Sequence, residues 1–130
     1  MIDKVSRTKP VFVEDAKRLR KLTKGPIKFT LPGPMTMIDT LYDAHYRSRE
    51  KLAWEFACIL NEEARELEAV GVDIIQFDEP AFNVYMKDVA DWGVKALERA
   101  APERRQNLTH SFDMLGEAAM TFAAATGSLE

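Results

Sequence analysis

Hydrophobic residues recur along this chain with two different spacings, which predict helices separated by short strands. Three segments place apolar residues every three or four positions, as on one face of an α-helix. The first is predicted to begin at a Thr8 cap and to stop at Gly25. The second runs from a cap at Ser48 to Gly71, and the third covers residues 82–101 and ends at Pro102. A shorter helix or turn-rich segment is predicted within residues 35–46.

Two apolar runs lie between these helices and predict strands. Residues 27–31 form the first, and residues 72–77, rich in β-branched and aromatic side chains, form the second. Such a run is typical of a strand buried on both faces of a parallel sheet. The alternation of helix and strand therefore predicts an α/β fold with parallel strands and right-handed crossovers.

The last segment departs from this alternation. Residues 103–107 are a polar linker, preceding a weak strand at Leu108–Thr109, and helical spacing resumes from Asp113 to Ala123. We therefore divide the chain into a barrel-like segment, residues 1–102, and a divergent linker and helix, residues 103–130. The abrupt start suggests a cut edge, and residues 127–130 resemble a vector-derived tail.

Composition excludes several classes of protein. A net charge of −3 without a long basic run argues against nucleic acid or an anionic membrane surface as the main partner. A single cysteine, Cys58, leaves no internal disulfide and indicates a reducing, cytoplasmic setting. No apolar run reaches the roughly 20 residues that a membrane-spanning helix needs.

Candidate site residues lie where the two predicted strands end. Asp78 and Glu79 close the second strand, and ligands of parallel α/β folds gather at the carboxyl ends of strands. Acids favoured by a helix N-terminus are the alternative explanation for this pair. Pro32, Gly33 and Pro34 follow the first strand, where a plain turn is the alternative to a binding loop. No dinucleotide fingerprint, phosphate loop or nucleophile elbow is present.

Three motifs resemble those of a known family. They are Leu-Pro-Gly-Pro-Met-Thr at 31–36, Ile-Gln-Phe-Asp-Glu-Pro-Ala-Phe at 75–82 and Trp-Gly-Val at 92–94. Together they resemble the catalytic barrel of cobalamin-independent methionine synthases, most of all the short, single-barrel members. The resemblance covers residues 6–100. It implies a (β/α)8 TIM barrel, of which this chain is expected to form a part, and methyl transfer to the zinc-held thiolate of homocysteine in methionine biosynthesis.

The resemblance also assigns substrate-binding roles. Asp78 matches the family aspartate that binds the amino group of homocysteine, and a carboxylate accepts charge-assisted hydrogen bonds from an ammonium group. Glu79 is expected on the opposite face of the strand, where it either binds substrate or orients a loop. Pro32, Gly33 and Pro34 match the other substrate-side loop. We expect weak binding of homocysteine or methionine.

The zinc site of the family is only partly matched. The family uses a histidine and a cysteine two residues apart, then a glutamate and a second cysteine from later strands. His110 aligns with the histidine ligand, but Phe112 stands where the cysteine is expected. Cys58 is predicted to be an inert small hydrophobe and His45 a surface or packing residue. We expect this chain to bind no stoichiometric zinc and to lack methyltransferase activity alone.

Three functions and one assembly state follow as expectations. The chain is either part of a methyltransferase, a binding or interaction module derived from that barrel, or, least favoured, a related barrel with another reaction such as tetrapyrrole decarboxylation. The chain has few predicted strands but long amphipathic helices, and the strands are too few to cover the apolar helix faces. Exposed apolar surface and unpaired strand edges are therefore expected. A homo-oligomer is therefore expected.

Overall fold

The computed structural model describes residues 1–102, 108–113 and 119–125, with side chains described for residues 1–102. Within these residues, no helix is long and apolar enough to cross a membrane. The helices are α1 (Val13–Leu22), α2 (Pro34–Asp39), α3 (Arg49–Ala69), α4 (Met86–Asp88) and α5 (Val94–Ala100). The strands are β1 (Lys28–Pro32), β2 (Ile74–Asp78), β3 (Leu108–Asp113) and β4 (Ala119–Ala125), and shorter turns cover Pro80–Asn83 and Val89–Gly93.

The two strands predicted from the hydrophobic runs form a parallel pair. Lys28 lies beside Ile74 and Pro32 beside Asp78, so β1 and β2 are in register along their whole length. Helices α2 and α3 make the crossover between them. The predicted α/β fold, a partial barrel in which parallel strands alternate with helices, is confirmed.

The core lies between this parallel pair and the helices. Leu31, Ile75 and Phe77 project from one face of the strands and are fully buried. Residues that alternate with them, such as Thr30 and Gln76, project from the other face and are more exposed. Helix α3 supplies a buried stripe to the same core, made of Leu52, Ala53, Phe56, Ala57, Leu60, Ala64 and Leu67.

Both ends of α3 form as the sequence predicts. The Ser48 hydroxyl accepts a hydrogen bond from the Lys51 backbone N–H at 3.3 Å, which satisfies one donor of the first turn. Gly71 has a φ of 93°, a left-handed conformation that glycine adopts without steric cost. The predicted boundaries at Ser48 and Gly71 are confirmed.

Helix α1 begins later than predicted. Thr8 is not its cap, because the first helical residue is Val13 and the cap position, Phe12, makes no side-chain hydrogen bond. The carboxylate of Glu63, on α3, instead accepts hydrogen bonds from the backbone N–H groups of Val11 and Phe12, at 3.0 and 2.7 Å. A residue distant in sequence thus accepts the hydrogen bonds that an N-cap side chain normally accepts.

The third predicted helix is broken into shorter pieces. A 3-10 turn at Pro80–Asn83 precedes α4, and a turn of π type at Val89–Gly93 joins α4 to α5. Gly93, the last residue of this turn, has no room for a side chain, because a Cβ atom there would lie 2.4 Å from the sulfur of Met35. The wider turn and the missing side chain together let this segment approach α2 closely.

The predicted C-terminal helix is wrong where the structure describes it. Ala119–Ala125, predicted in part as a helix, forms β4, which lies antiparallel to both β2 and β3. The weak strand at Leu108–Thr109 is present and extends to Asp113. Unpaired backbone groups along the second edge of β2 favour strand pairing over the intrinsic helical preference of this alanine-rich segment. Residues 103–107, 114–118 and 126–130, with the predicted linker, first helical turn and tail, lie outside the described residues.

Candidate functional site

The ends of β1 and β2 bring together the motifs at 31–36 and 75–82, which are separated in the sequence by residues 37–74. Pro32 is the register partner of Asp78, and the Gly33 backbone N–H donates a hydrogen bond of 2.8 Å to the Asp78 carbonyl oxygen. The loop at Pro32, Gly33 and Pro34 therefore lies directly beside the Asp78 and Glu79 pair. This adjacency is the geometry that a site at strand carboxyl ends requires.

Asp78 projects from the strand face that points away from the helices. Its carboxylate is partly buried and accepts a hydrogen bond of 2.7 Å from the Gln76 side-chain amide. The Gln76 carbonyl oxygen in turn accepts a hydrogen bond of 2.9 Å from the Lys28 ammonium group on β1. Lys28 thereby fixes which end of the Gln76 amide faces Asp78, and the carboxylate is held in one orientation.

Sequence reasoning missed Gln76 and Lys28. The available signal was the two-residue spacing between Gln76 and Asp78, because alternate residues of a strand share one face. Lys28 could be found only with the strand register, which places it opposite Ile74, two residues before Gln76 on the same face of the parallel pair.

Glu79 lies on the opposite side of the strand end and is fully buried. Its Oε1 atom accepts a hydrogen bond of 3.2 Å from the Thr36 backbone N–H, at the start of α2. Its Oε2 atom is buried and has no hydrogen-bond partner in the part of the chain that is described. Burial raises the pKa of this carboxyl group to about 7, although hydrogen bonds from Thr36 and Met35 act in the opposite direction.

Gly33 provides the space that Glu79 occupies. A Cβ atom at position 33 would lie 1.8 Å from Glu79 Oε1, 2.1 Å from its Cγ and 2.2 Å from its Cδ. The Thr36 hydroxyl oxygen also accepts a hydrogen bond of 3.4 Å from the Ala81 backbone N–H. The two strand-end loops are therefore joined on this side by side chains as well as by backbone.

The orientation of Glu79 agrees with the second of its two predicted roles. Its side chain points between the loops, where it holds the segment from Gly33 to Thr36 against the end of β2. A fully buried carboxyl group presents no surface to a ligand in this arrangement. Substrate binding by Glu79, Pro32, Gly33 and Pro34 stays a prediction.

The described side chains do not form a metal centre. Within residues 1–102, no group of three or more His, Cys, Asp and Glu side chains lies close enough to hold a metal ion. Cys58 is partly buried in α3, and the ring of His45 packs edge-on against Tyr46. His110 lies in β3, opposite Phe122 of β4, and its predicted role as a ligand concerns a side chain outside the described set. The described residues do not fit the zinc ion of the resembled family.

Comparison with known proteins identifies the family of this chain. A family model described as the catalytic domain of cobalamin-independent synthase matches residues 1–112. The chain belongs to the cobalamin-independent methionine synthase family. The predicted resemblance is therefore confirmed, and it extends beyond the three motifs to the β3 strand.

Individual methionine synthases resemble the chain over most of its length. A methionine synthase from Thermoplasma volcanium is 35% identical over 87% of this chain, and a 5-methyltetrahydropteroyltriglutamate–homocysteine methyltransferase from Thermotoga petrophila is 31% identical over 82%. The structure of a B12-independent methionine synthase from Shewanella sp. W3-18-1, in complex with selenomethionine, is 72% identical over 82% of the chain, with a TM-score of 0.77. The chain spans 36%, 16% and 31%, respectively, of the lengths of these three proteins.

Proposed function

We propose that the ends of β1 and β2 form the amino-acid-binding part of a methionine synthase, which transfers a methyl group to the sulfur of homocysteine. In this proposal, Asp78 receives the ammonium group of homocysteine or of the product methionine. The observation that carries it is the Asp78 carboxylate, fixed by Gln76 at the carboxyl end of β2 beside the Gly33 loop. Support comes from the selenomethionine bound in the related Shewanella structure.

Asp78 has the chemistry that recognition of an amino group requires. An ammonium group has three donors, and hydrogen bonds to an ionised acceptor are shorter and stronger than neutral ones. Gln76 donates to Oδ1 and so keeps the carboxylate from rotating. Such a contact contributes about 1.5–3 kcal/mol, and association alone costs at least as much, so affinity for a free amino acid is expected to be about millimolar or weaker.

A binding module without catalysis is the second candidate function. It is favoured by the described side chains, among which no group of three or more His, Cys, Asp and Glu lies close enough to hold a metal ion. Methionine binding with no methyl transfer to homocysteine would distinguish the module from the enzyme. The Asp78 site is common to both, so its test does not depend on this choice.

Replacing Asp78 with asparagine is expected to abolish binding of methionine. The change keeps the shape of the side chain but removes the charge that attracts the ammonium group. Amide shifts of β1 and β2, followed by NMR during titration with methionine to tens of millimolar, provide the measurement.

Asp15→Asn is the matched control, because Asp15 is an exposed α1 residue paired with Arg18. This variant should bind methionine as the unsubstituted protein does. Equal shifts in the Asp78 variant and in the unsubstituted protein would show that Asp78 does not bind the amino group.

We also propose that the chain forms a homo-oligomer. Strand β1 lies at one edge of the described sheet, and an apolar cavity of ≈ 300 Å³ opens beside it between Phe12, Leu31 and Phe56. Val11, which lines this cavity, is 65% exposed. A second copy that covers this edge would form hydrogen bonds with the backbone groups of β1 and would bury the apolar surface. Sedimentation velocity over a micromolar dilution series should show a dimer or larger species, and a compact monomer throughout would contradict the proposal.

A further inference from the structure

Glu79 has a property that the binding of an amino group to Asp78 does not explain. It is a fully buried carboxyl group one residue from the proposed ligand contact, and one of its oxygen atoms has no hydrogen-bond partner among the described residues. Leaving a buried polar atom unpaired is costly, so an unpaired carboxyl oxygen at a strand end calls for a reason.

We propose that Glu79 is the positioning residue of this site, and that the ionisation of its carboxyl group sets the affinity of the neighbouring Asp78 for an ammonium group. The inference rests on the proposed function, because it concerns the same ligand. Glu79 acts through Asp78 and through the loop that it holds.

Hydrogen bonds and close packing connect Glu79 to the backbone of Asp78. Oε1 of Glu79 accepts the Thr36 N–H, while the Glu79 side chain fills the space above Gly33. Gly33 in turn donates its N–H to the carbonyl oxygen of Asp78. Glu79 is therefore connected to the backbone that carries Asp78 through this loop, and its charge also acts on the site through space.

Few other charges act on Glu79 from the elements packed around it. Asp78 is the titratable residue of β2, and Asp39, at the end of α2, pairs with Arg49 at 3.5 Å. The turn at Pro80–Asn83 and strand β4 carry no titratable side chain in their sequences. Burial outweighs the hydrogen bonds and raises the pKa of Glu79 to about 7, so this group changes charge near neutral pH.

The direction of the effect on binding follows from the charges. Above about pH 7, Glu79 is ionised and adds a second negative charge across the strand end from the bound ammonium group, so affinity rises with pH. By linkage, the bound amino acid favours the ionised form and releases a proton from Glu79. Two charges interacting across a protein interior of intermediate dielectric constant predict an affinity change of about threefold to tenfold.

The test compares methionine affinity at about pH 6 and about pH 8, where the amino group of free methionine is mainly protonated. The unsubstituted protein is expected to bind more tightly at the higher pH, by about threefold to tenfold. Glu79→Gln keeps the shape and the acceptor for Thr36 but does not ionise, so its affinity should be the same at both pH values. Glu14→Gln, at an exposed α1 residue paired with Lys17, should retain the pH dependence of the unsubstituted protein.

A ligand-free measurement tests the buried state of Glu79 separately. An acid whose pKa is raised on folding binds more protons in the native state than in the unfolded state between the two pKa values. Stability should therefore fall as pH rises from the usual range of a glutamate through about 7. The urea midpoint of the unsubstituted protein is expected to show this fall, and that of Glu79→Gln to lack it.

The outcomes distinguish this inference from the proposed function. Binding that requires Asp78 but has the same affinity at both pH values in the unsubstituted protein would overturn the role of Glu79 alone. An unchanged pH dependence in Glu79→Gln would do the same. Absence of methionine binding at either pH would overturn both proposals.

Discussion

Replacing Gly33 with alanine is expected to destabilise the fold by about 3 kcal/mol or more. The added methyl group would lie within 2.2 Å of three atoms of Glu79, and two of these are carbon atoms in the middle of a fully buried side chain. Relief requires the buried Glu79 side chain to move away, and its carboxyl group would then lose the hydrogen bond from Thr36. Urea unfolding followed by tryptophan fluorescence measures the change.

Gly25→Ala is the matched control for this substitution. The atom nearest to a Cβ at position 25 is the Thr23 hydroxyl oxygen, at 3.5 Å, which is an ordinary contact. We expect a change within about 1 kcal/mol of the unsubstituted protein. Adding Glu79→Ala to Gly33→Ala removes the atoms that clash, so the double variant should be more stable than Gly33→Ala alone. Equal stability of the two would show that the shared space is not the cause.

Replacing Glu63 with alanine is the second change expected to have a large effect, about 3 kcal/mol or more. The Glu63 side chain is only 5% exposed and forms an ion pair of 2.7 Å with Arg7, which is 10% exposed. The same carboxylate accepts the backbone N–H groups of Val11 and Phe12 at the start of α1. Its loss leaves a nearly buried guanidinium group and two backbone donors without this acceptor. Chemical denaturation monitored by circular dichroism measures the loss.

Two further variants test this account. Arg18→Ala removes a pair with Asp15 whose side chains are 77% and 64% exposed, and such surface pairs contribute about 0–1 kcal/mol. Arg7→Ala should cost less than Glu63→Ala, because Glu63 keeps its hydrogen bonds from Val11 and Phe12. A Glu63 variant as stable as the Arg18 variant would contradict the proposed role of this carboxylate.

The helices and strands that could be predicted are those whose signals are local. Ser48 caps α3 through its own side chain and Gly71 ends it through its own backbone, so both boundaries can be read from adjacent residues. The start of α1 could not be predicted from adjacent residues. Glu63, 51 residues from Phe12, accepts the hydrogen bond that a local cap would otherwise accept. The strand at Ala119–Ala125 has residues compatible with a helix, and its pairing with β2 decides its conformation.

The candidate site also has features that the sequence could predict and features that it could not. That the Gly33 loop and Asp78 lie together follows from the parallel sheet, since the carboxyl ends of adjacent strands meet at one edge. The orientation of Asp78 depends on Gln76 and Lys28, which requires the strand register. The raised pKa of Glu79 depends on complete burial over Gly33, a property of packing that no local pattern contains.

The parallel pairing of β1 with β2 has a consequence for the kinetics of folding. Lys28 pairs with Ile74, so all of α2 and α3 lies between the first two residues that must meet. The entropy lost on closing this segment is offset only once α3 is helical and packed on both strands. Helix α3 is therefore expected to be largely formed in the transition state, and strand pairing to limit the rate at which the chain reaches its native state.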